Sequence, residues 1–181
     1  MNSTLMVASR MALGLSVVVC ASPVWADLPD PCAGFSWDVS RERAVFATQP
    51  ARLAGGKDVS SAPALVADRL YSIQLAPQSS VSFVVPPSKK IPLEAGFAGL
   101  ASMQVPLSGI YRISGGSSFW IDVIVAGKTV DTKDYQGQKG CSTPHKIVEF
   151  ELPASVPVLL EVSSAVEPEI RVSVTAAAPK F

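Results

Sequence analysis

From residue 65 to residue 174 the chain repeats with a period of two. Tyr71, Ile73 and Leu75 alternate with Ser72 and Gln74, and Val81, Phe83 and Val85 alternate with Ser80, Ser82 and Val84. Phe97, Ala101, Met103 and Val105 suggest a strand closed by Pro106, and Ser108-Gly109 turns into Ile110 to Ser114. Phe119 to Val125 is the strongest run, and Gly127 offers a hairpin turn into Thr129-Val130. Val148, Phe150 and Leu152 point one way while Glu149 and Glu151 point the other. Val158, Leu160 and Val162 do the same against Glu161, and Ile170, Val172 and Val174 against Arg171 and Ser173. Successive side chains of a strand alternate between its two faces. About nine short strands, each with one apolar face, predict antiparallel sheets packed around one core. The fold class is therefore mainly β: an antiparallel β-sandwich, jelly-roll-like, with one short N-terminal helix. On this pattern Glu149 and Glu151 belong to a solvated face, and Pro86-Pro87 ends a strand over 81–85.

The first 26 residues follow a different logic. Arg10 is the only charge before Asp27, an apolar run follows it from Met11 to Val19, and the stretch ends in Val24-Trp25-Ala26. A basic start, a short apolar core and small residues at −3 and −1 describe a secretory signal peptide cleaved near Ala26. The run is shorter than the roughly 20 apolar residues a membrane-spanning helix needs. Cleavage after Ala21, or lipid modification of Cys20, are the rival readings; Val17-Val18-Val19 lacks the small residue expected before an acylated cysteine. The expected location is periplasmic or secreted. In that oxidising compartment Cys32 and Cys141 should form a disulfide closing most of the mature chain.

The remaining segments read as one domain with an appended start. Residues 27–64 are a helical or irregular segment tied back by the disulfide, 65–176 the sandwich, and 177–181 a tail. Ser36 to Thr48 is the plausible helix, with Asp38 as N-cap and Phe35, Val39, Val45 and Phe46 as its apolar face. Trp37 is expected to be a core plug against the sheets. Residues 49–64 and 86–96, rich in Ala, Gly, Ser and Pro, read as loops.

Composition excludes several functions. Without Arg10, 14 Lys and Arg stand against 15 Asp and Glu, with no long charge run, so nucleic acid is not an expected partner. No stretch after the signal is apolar enough to span a membrane as a helix. The chain has one histidine, His145, whereas a cupin-type metal centre needs two or three. No H-E-x-x-H, G-x-S-x-G or glycine-rich phosphate cradle occurs. No cofactor is implied.

The C-terminal half has a cadence of its own. Pro106-Leu-Ser-Gly-Ile-Tyr-Arg-Ile113 is followed by Phe119-Trp-Ile-Asp-Val-Ile-Val-Ala-Gly127, then by Lys146-Ile-Val-Glu-Phe-Glu-Leu152 and Val158-Leu-Leu-Glu-Val162. Over about residues 100–175 this order resembles the secreted carbohydrate-associated sandwiches of the PA14-like and pre-peptidase C-terminal kinds. The chain also resembles small, uncharacterised exported bacterial proteins that open on Cys-x-Gly-Phe-x-Trp-Asp, here Cys32 to Asp38. The resemblance is architectural and implies a binding or accessory module; no functional residue is carried over from it.

Candidate site residues gather late in the chain. The polar segment 131–145 carries Tyr135, Gln136, Gln138 and His145 and is anchored by Cys141. Trp120 and Asp122 share a strand face, and an exposed Trp beside an acid would suit stacking on a sugar. After Asn2 the chain has no asparagine, so only glutamines could supply planar amides to such a ligand. Asp131 and Asp134 are weak calcium candidates. The expected role is a non-enzymatic envelope module binding a glycan or small molecule. The alternatives are an assembly subunit that binds an envelope protein, and a hydrolase using His145.

Overall fold

Alternating apolar positions form a face only when a second face covers them, and the two-sheet arrangement follows from that. The computed structural model describes residues 30–89 and 96–178. The signal-like segment, Cys20 and the last three residues lie outside them, as does most of the second half of the 86–96 loop.

The elements are α1 (Ser40–Phe46), β1 (Ala51–Ala54), β2 (Ala64–Leu65), β3 (Leu70–Gln74), β4 (Ala76–Pro77), β5 (Phe97–Met103) and β6 (Gly109–Gly115), followed by β7 (Trp120–Val125), β8 (Lys128–Thr129), β9 (Thr132–Gly137), β10 (Lys146–Leu152), β11 (Val158–Ala165) and β12 (Glu169–Ala176). One sheet runs β1-β3-β12-β6-β10-β9 and the other β2-β5-β11-β7-β8, with β4 paired to β5. We call them sheet A and sheet B. The fold is a β-sandwich, and the strand order does not establish a jelly roll. Most pairs are antiparallel, but β1 runs parallel to β3 and β2 parallel to β5, so both sheets are mixed.

The core lies where the alternation placed it. Tyr71, Ile73, Tyr111, Ile113, Phe150, Leu152, Val172 and Val174 of sheet A meet Met103, Ile121, Val123, Leu160 and Val162 of sheet B. The hairpin after β7 turns at Ala126 and Gly127, both left-handed with φ of 50° and 74°. Two adjacent positive φ values twist with the strands, and glycine accepts one at no steric cost.

Several expectations fail, each for a physical reason. Residues 49–64 are not all loop: Ala51–Ala54 form β1, a 3-10 turn lies at Val59–Ser61, and β2 begins at Ala64, so that each sheet gains a short strand from this span. Residues 81–85 are not a strand; after a 3-10 turn at Gln78–Ser80 they cross the outer face of sheet B as a strap. The strap's backbone still needs partners. The Glu161 carboxylate accepts from Val84 N–H at 2.7 Å, and Asp122 accepts from Ser88 N–H at 3.1 Å. Gln78 is buried and its Oε1 accepts from Ser164 N–H. The helix is shorter than Ser36 to Thr48 and its N-cap is Val39; Asp38, two residues before the helix begins, accepts from Ser40 N–H.

The fourth concerns Glu149, which is 1% exposed rather than solvated. Helix α1 packs on the outer face of sheet A, with Val39, Glu42, Val45 and Phe46 facing inward at helical spacing. Arg112 donates from Nε to Glu149 at 3.0 Å and from Nη1 to the Asp38 carbonyl at 2.8 Å, with Glu42 at 3.4 Å. Thr175 Oγ1 donates to Glu42, and the half-buried Trp37 ring stacks 4.8 Å from the Arg112 guanidinium carbon. Trp37 thus lies against the outside of sheet A rather than plugging the core, because its ring stacks on Arg112 instead of entering between the sheets. Glu151 does face outward, exposed and bridged to Lys133 at 2.7 Å.

Candidate functional site

Sheet A outgrows sheet B at one edge. The six-residue strand β9 continues sheet A beyond β10, while on the other sheet β7 is followed only by the two-residue β8. The inward face of β9 therefore has no opposing layer. Six of the fifteen residues read as a polar loop over 131–145 form this strand, pairing with β10 through Tyr135↔Val148 and Gln136↔Ile147. Directly opposed residues share a face, so Tyr135 stands on the side of Val148 and the core. With nothing above it, Tyr135 is 73% exposed.

The open edge holds a cleft of about 480 Å³ lined by Trp120, Ile121, Thr132, Tyr135, Gln136, Gly137, His145, Lys146 and Val148. Ile121 and Val148 form an apolar floor continuous with the core. Four of the six expected ligand residues, Trp120, Tyr135, Gln136 and His145, meet on its walls.

The other two serve the surrounding structure. Asp122 is buried; it accepts from Ser88 Oγ at 2.5 Å and Trp120 Nε1 at 3.2 Å, besides Ser88 N–H. Trp120 Nε1 also donates to Ser88 Oγ at 2.7 Å, so the indole is half-buried and fixed by the strap. Gln138 Nε2 donates to the Gly34 carbonyl at 2.6 Å. Gln136 lines the cleft, but its Oε1 accepts from Ser36 N–H at 2.9 Å and its Nε2 donates to Ser36 Oγ. The two glutamines and the Cys32–Cys141 disulfide (Cα–Cα 5.0 Å) bind the N-terminal segment to the wall of the cleft.

His145 is held from both sides. Its N–H donates to the Gly115 carbonyl at 2.8 Å, and its Nδ1 lies 3.3 Å from the Cys141 carbonyl. With Nδ1 occupied, Nε2 is the nitrogen left for a ligand. The weak calcium candidates Asp131 and Asp134 are exposed, and Asp134 accepts from Tyr135 N–H. Among the described residues no group of three or more His, Cys, Asp or Glu side chains could hold a metal.

Lys146 is the residue the sequence reading missed. Counting back by twos from Leu152, Phe150 and Val148 reaches Lys146, so the same alternation that places apolar residues inward places this lysine there. The signal was a charge at an inward register position. Its Nζ donates to the Phe119 carbonyl at 2.5 Å and lies 5.5 Å from the Phe119 ring and 5.7 Å from the Trp120 ring. Lys89, on the strap, places a second ammonium 5.4 Å from the Trp120 ring. Burial pulls the Lys146 ammonium down to about 8; Lys89 pushes the same way and Asp122 partly offsets it.

No protein-family model matches the chain, and no curated protein matches it.

Proposed function

We propose that this protein is an exported, non-enzymatic binding module that holds a small ring-bearing ligand in the cleft at the open sandwich edge. The observation that carries the reading is the convergence of Trp120, Tyr135, His145 and Lys146 on one apolar-floored cleft. Ligand sites are commonly concave and apolar, with a few polar groups that set orientation. Tyr135 offers an uncovered ring, Trp120 a fixed one, and His145 and Lys146 offer polar atoms. The cadence shared with PA14-like sandwiches agrees with an accessory module.

Export is part of the proposal. The signal-like first 26 residues support it, and so does the Cys32–Cys141 bond, which suits an oxidising compartment. Among the described residues no helix is long and apolar enough to cross a membrane.

A thermal-shift screen of the oxidised protein against sugars, cell-wall fragments, divalent metals and small acids tests the reading. A ligand that binds only the native state adds about 2.7 kcal/mol at 100 times its Kd. The expected result is a dose-dependent rise in midpoint that Tyr135→Ala abolishes while leaving the ligand-free midpoint within a degree or two. A shift that persists in Tyr135→Ala and in Trp120→Phe would place binding elsewhere and overturn the assignment.

A further inference from the structure

We propose that the ligand is a ring-bearing carboxylate whose anionic group pairs with Lys146 Nζ while its ring lies along Tyr135. This deepens the binding reading above and rests on it. Three observations carry it.

The first is charge. No acidic residue lines the cleft, and Lys146 is its one formally charged wall residue. Among the described residues no carboxylate lies within ion-pair distance of Nζ. The acid that acts on it, Asp122, is already hydrogen-bonded to Ser88 and Trp120. Lys89 adds a second positive charge from the strap. A half-buried ammonium with a like charge acting on it and no ion-pair partner is unfavourable until an anion arrives.

The second is donor geometry. The cleft presents the Lys146 ammonium as its one charged donor, with no arginine fork among its lining residues. Phosphate is commonly held by an arginine fork, a helix N-terminus or a cradle of backbone N–H groups, none of which the lining residues form. A singly charged carboxylate matches one ammonium better than a phosphate does. The third is the platform: Tyr135, 73% exposed, offers its ring beside the cleft for stacking on a sugar or aromatic ring.

The groups that face Nζ set its pH behaviour. They are Lys89 from the strap, Asp122 from β7, the adjacent His145, and Tyr135 across the cleft. An anion bound at Nζ stabilises the ammonium, so binding raises its proton affinity. At pH 8, where the free amine is about half protonated, binding should take up as much as half a proton. Affinity should fall as pH rises beyond that point.

Isothermal titration of the oxidised full chain tests this with galacturonate, its neutral counterpart galactose, and benzoate as the aromatic acid. Titrations at pH 8 in buffers of different ionisation enthalpy read the proton uptake without any variant. The expected result is at least tenfold tighter binding of one acid than of galactose, with proton uptake that Lys146→Met removes and the exposed Lys128→Met keeps. Preference for galacturonate would identify a sugar acid, and preference for benzoate an aromatic one. If galactose binds as tightly as the acids, or if Lys146→Met keeps the preference, the inference falls while the cleft remains a binding site. If none of the three binds and the wider thermal-shift screen is also flat, both fall.

Discussion

Two side chains carry charge where the core pattern calls for none or where a cover removes water, and both make the stability depend on pH. Lys146 is held at about 8, below its ordinary 10.5. A base with a lowered folded pKa binds fewer protons when folded, so unfolding stability rises as pH climbs from about 8 to 10.5. Lys146→Met should remove that rise and stabilise the ligand-free protein at pH 7 by about 1 to 3 kcal/mol, readable by urea titration at pH 7, 8.5 and 10. Glu161 has the opposite chemistry and the same cost. Burial raises its carboxyl above the usual range, with Asp122 adding to the shift and the strap N–H groups of Val84 and Val85 opposing it. Its Oε2 is buried without a hydrogen-bond partner among the described residues. The ionised form is therefore disfavoured in the fold, and the cost grows as pH rises through the raised value. Glu161→Gln keeps an acceptor for the strap and should raise stability by about 1 kcal/mol at pH 7, a gain that shrinks towards pH 4. A loss at pH 7 equal to the loss at pH 4 would contradict that assignment. At this scale the sequence was partly legible. Parity marks Lys146 as inward-facing, and it marks Glu161 as outward-facing but says nothing of the strap that covers it.

At the scale of elements, alternation located most strands from β3 onward, though not β4 or β9, and misjudged the segments that cover them. Val81, Phe83 and Val85 alternate like a strand, yet they lie across sheet B because buried side chains, Glu161 and Asp122, offer the strap's N–H groups what a neighbouring strand would have offered. Periodicity reports which residues share a face, not which partner supplies the hydrogen bonds. The same limit explains Glu149. Its outward parity was read correctly, and α1 then covers that face through Arg112, Glu42 and Trp37. Arg112→Met should cost about 3 to 5 kcal/mol, because it leaves Glu42 and Glu149 buried without their shared cation. Replacing all three by apolar residues of similar size should recover much of that loss. A measured cost of Arg112→Met below about 1 kcal/mol would mean that the network is solvated in solution. Strand β9 was read as loop because Thr132 to Gly137 is polar throughout, and an edge strand with one uncovered face needs no apolar alternation.

For the molecule as a whole, both outer faces of the sandwich are covered by chain that precedes or interrupts the strands. The N-terminal segment lies on sheet A and the strap on sheet B. The disulfide, whose cysteines are 109 positions apart, joins the first of these covers to the cleft wall. Chain entropy for a loop of about that length gives roughly 4.7 kcal/mol, so reduction should lower stability by about 2 to 5 kcal/mol. Because Cys141, Gln136 and Gln138 all hold the N-terminal segment, reduction should also weaken any ligand-induced shift beyond the loss of stability itself. The cysteine pairing was legible from the count and the expected compartment; the cleft was not, since it arises from unequal growth of two sheets that no local pattern records. The most direct measurement is a backbone NMR titration of the oxidised protein with the ligand selected by the thermal-shift screen. The account predicts that the largest amide shifts fall in residues 119–121, 132–137 and 145–148, around the cleft. Saturable shifts confined to other faces, such as the β1 edge or the outer surface of α1, would contradict it.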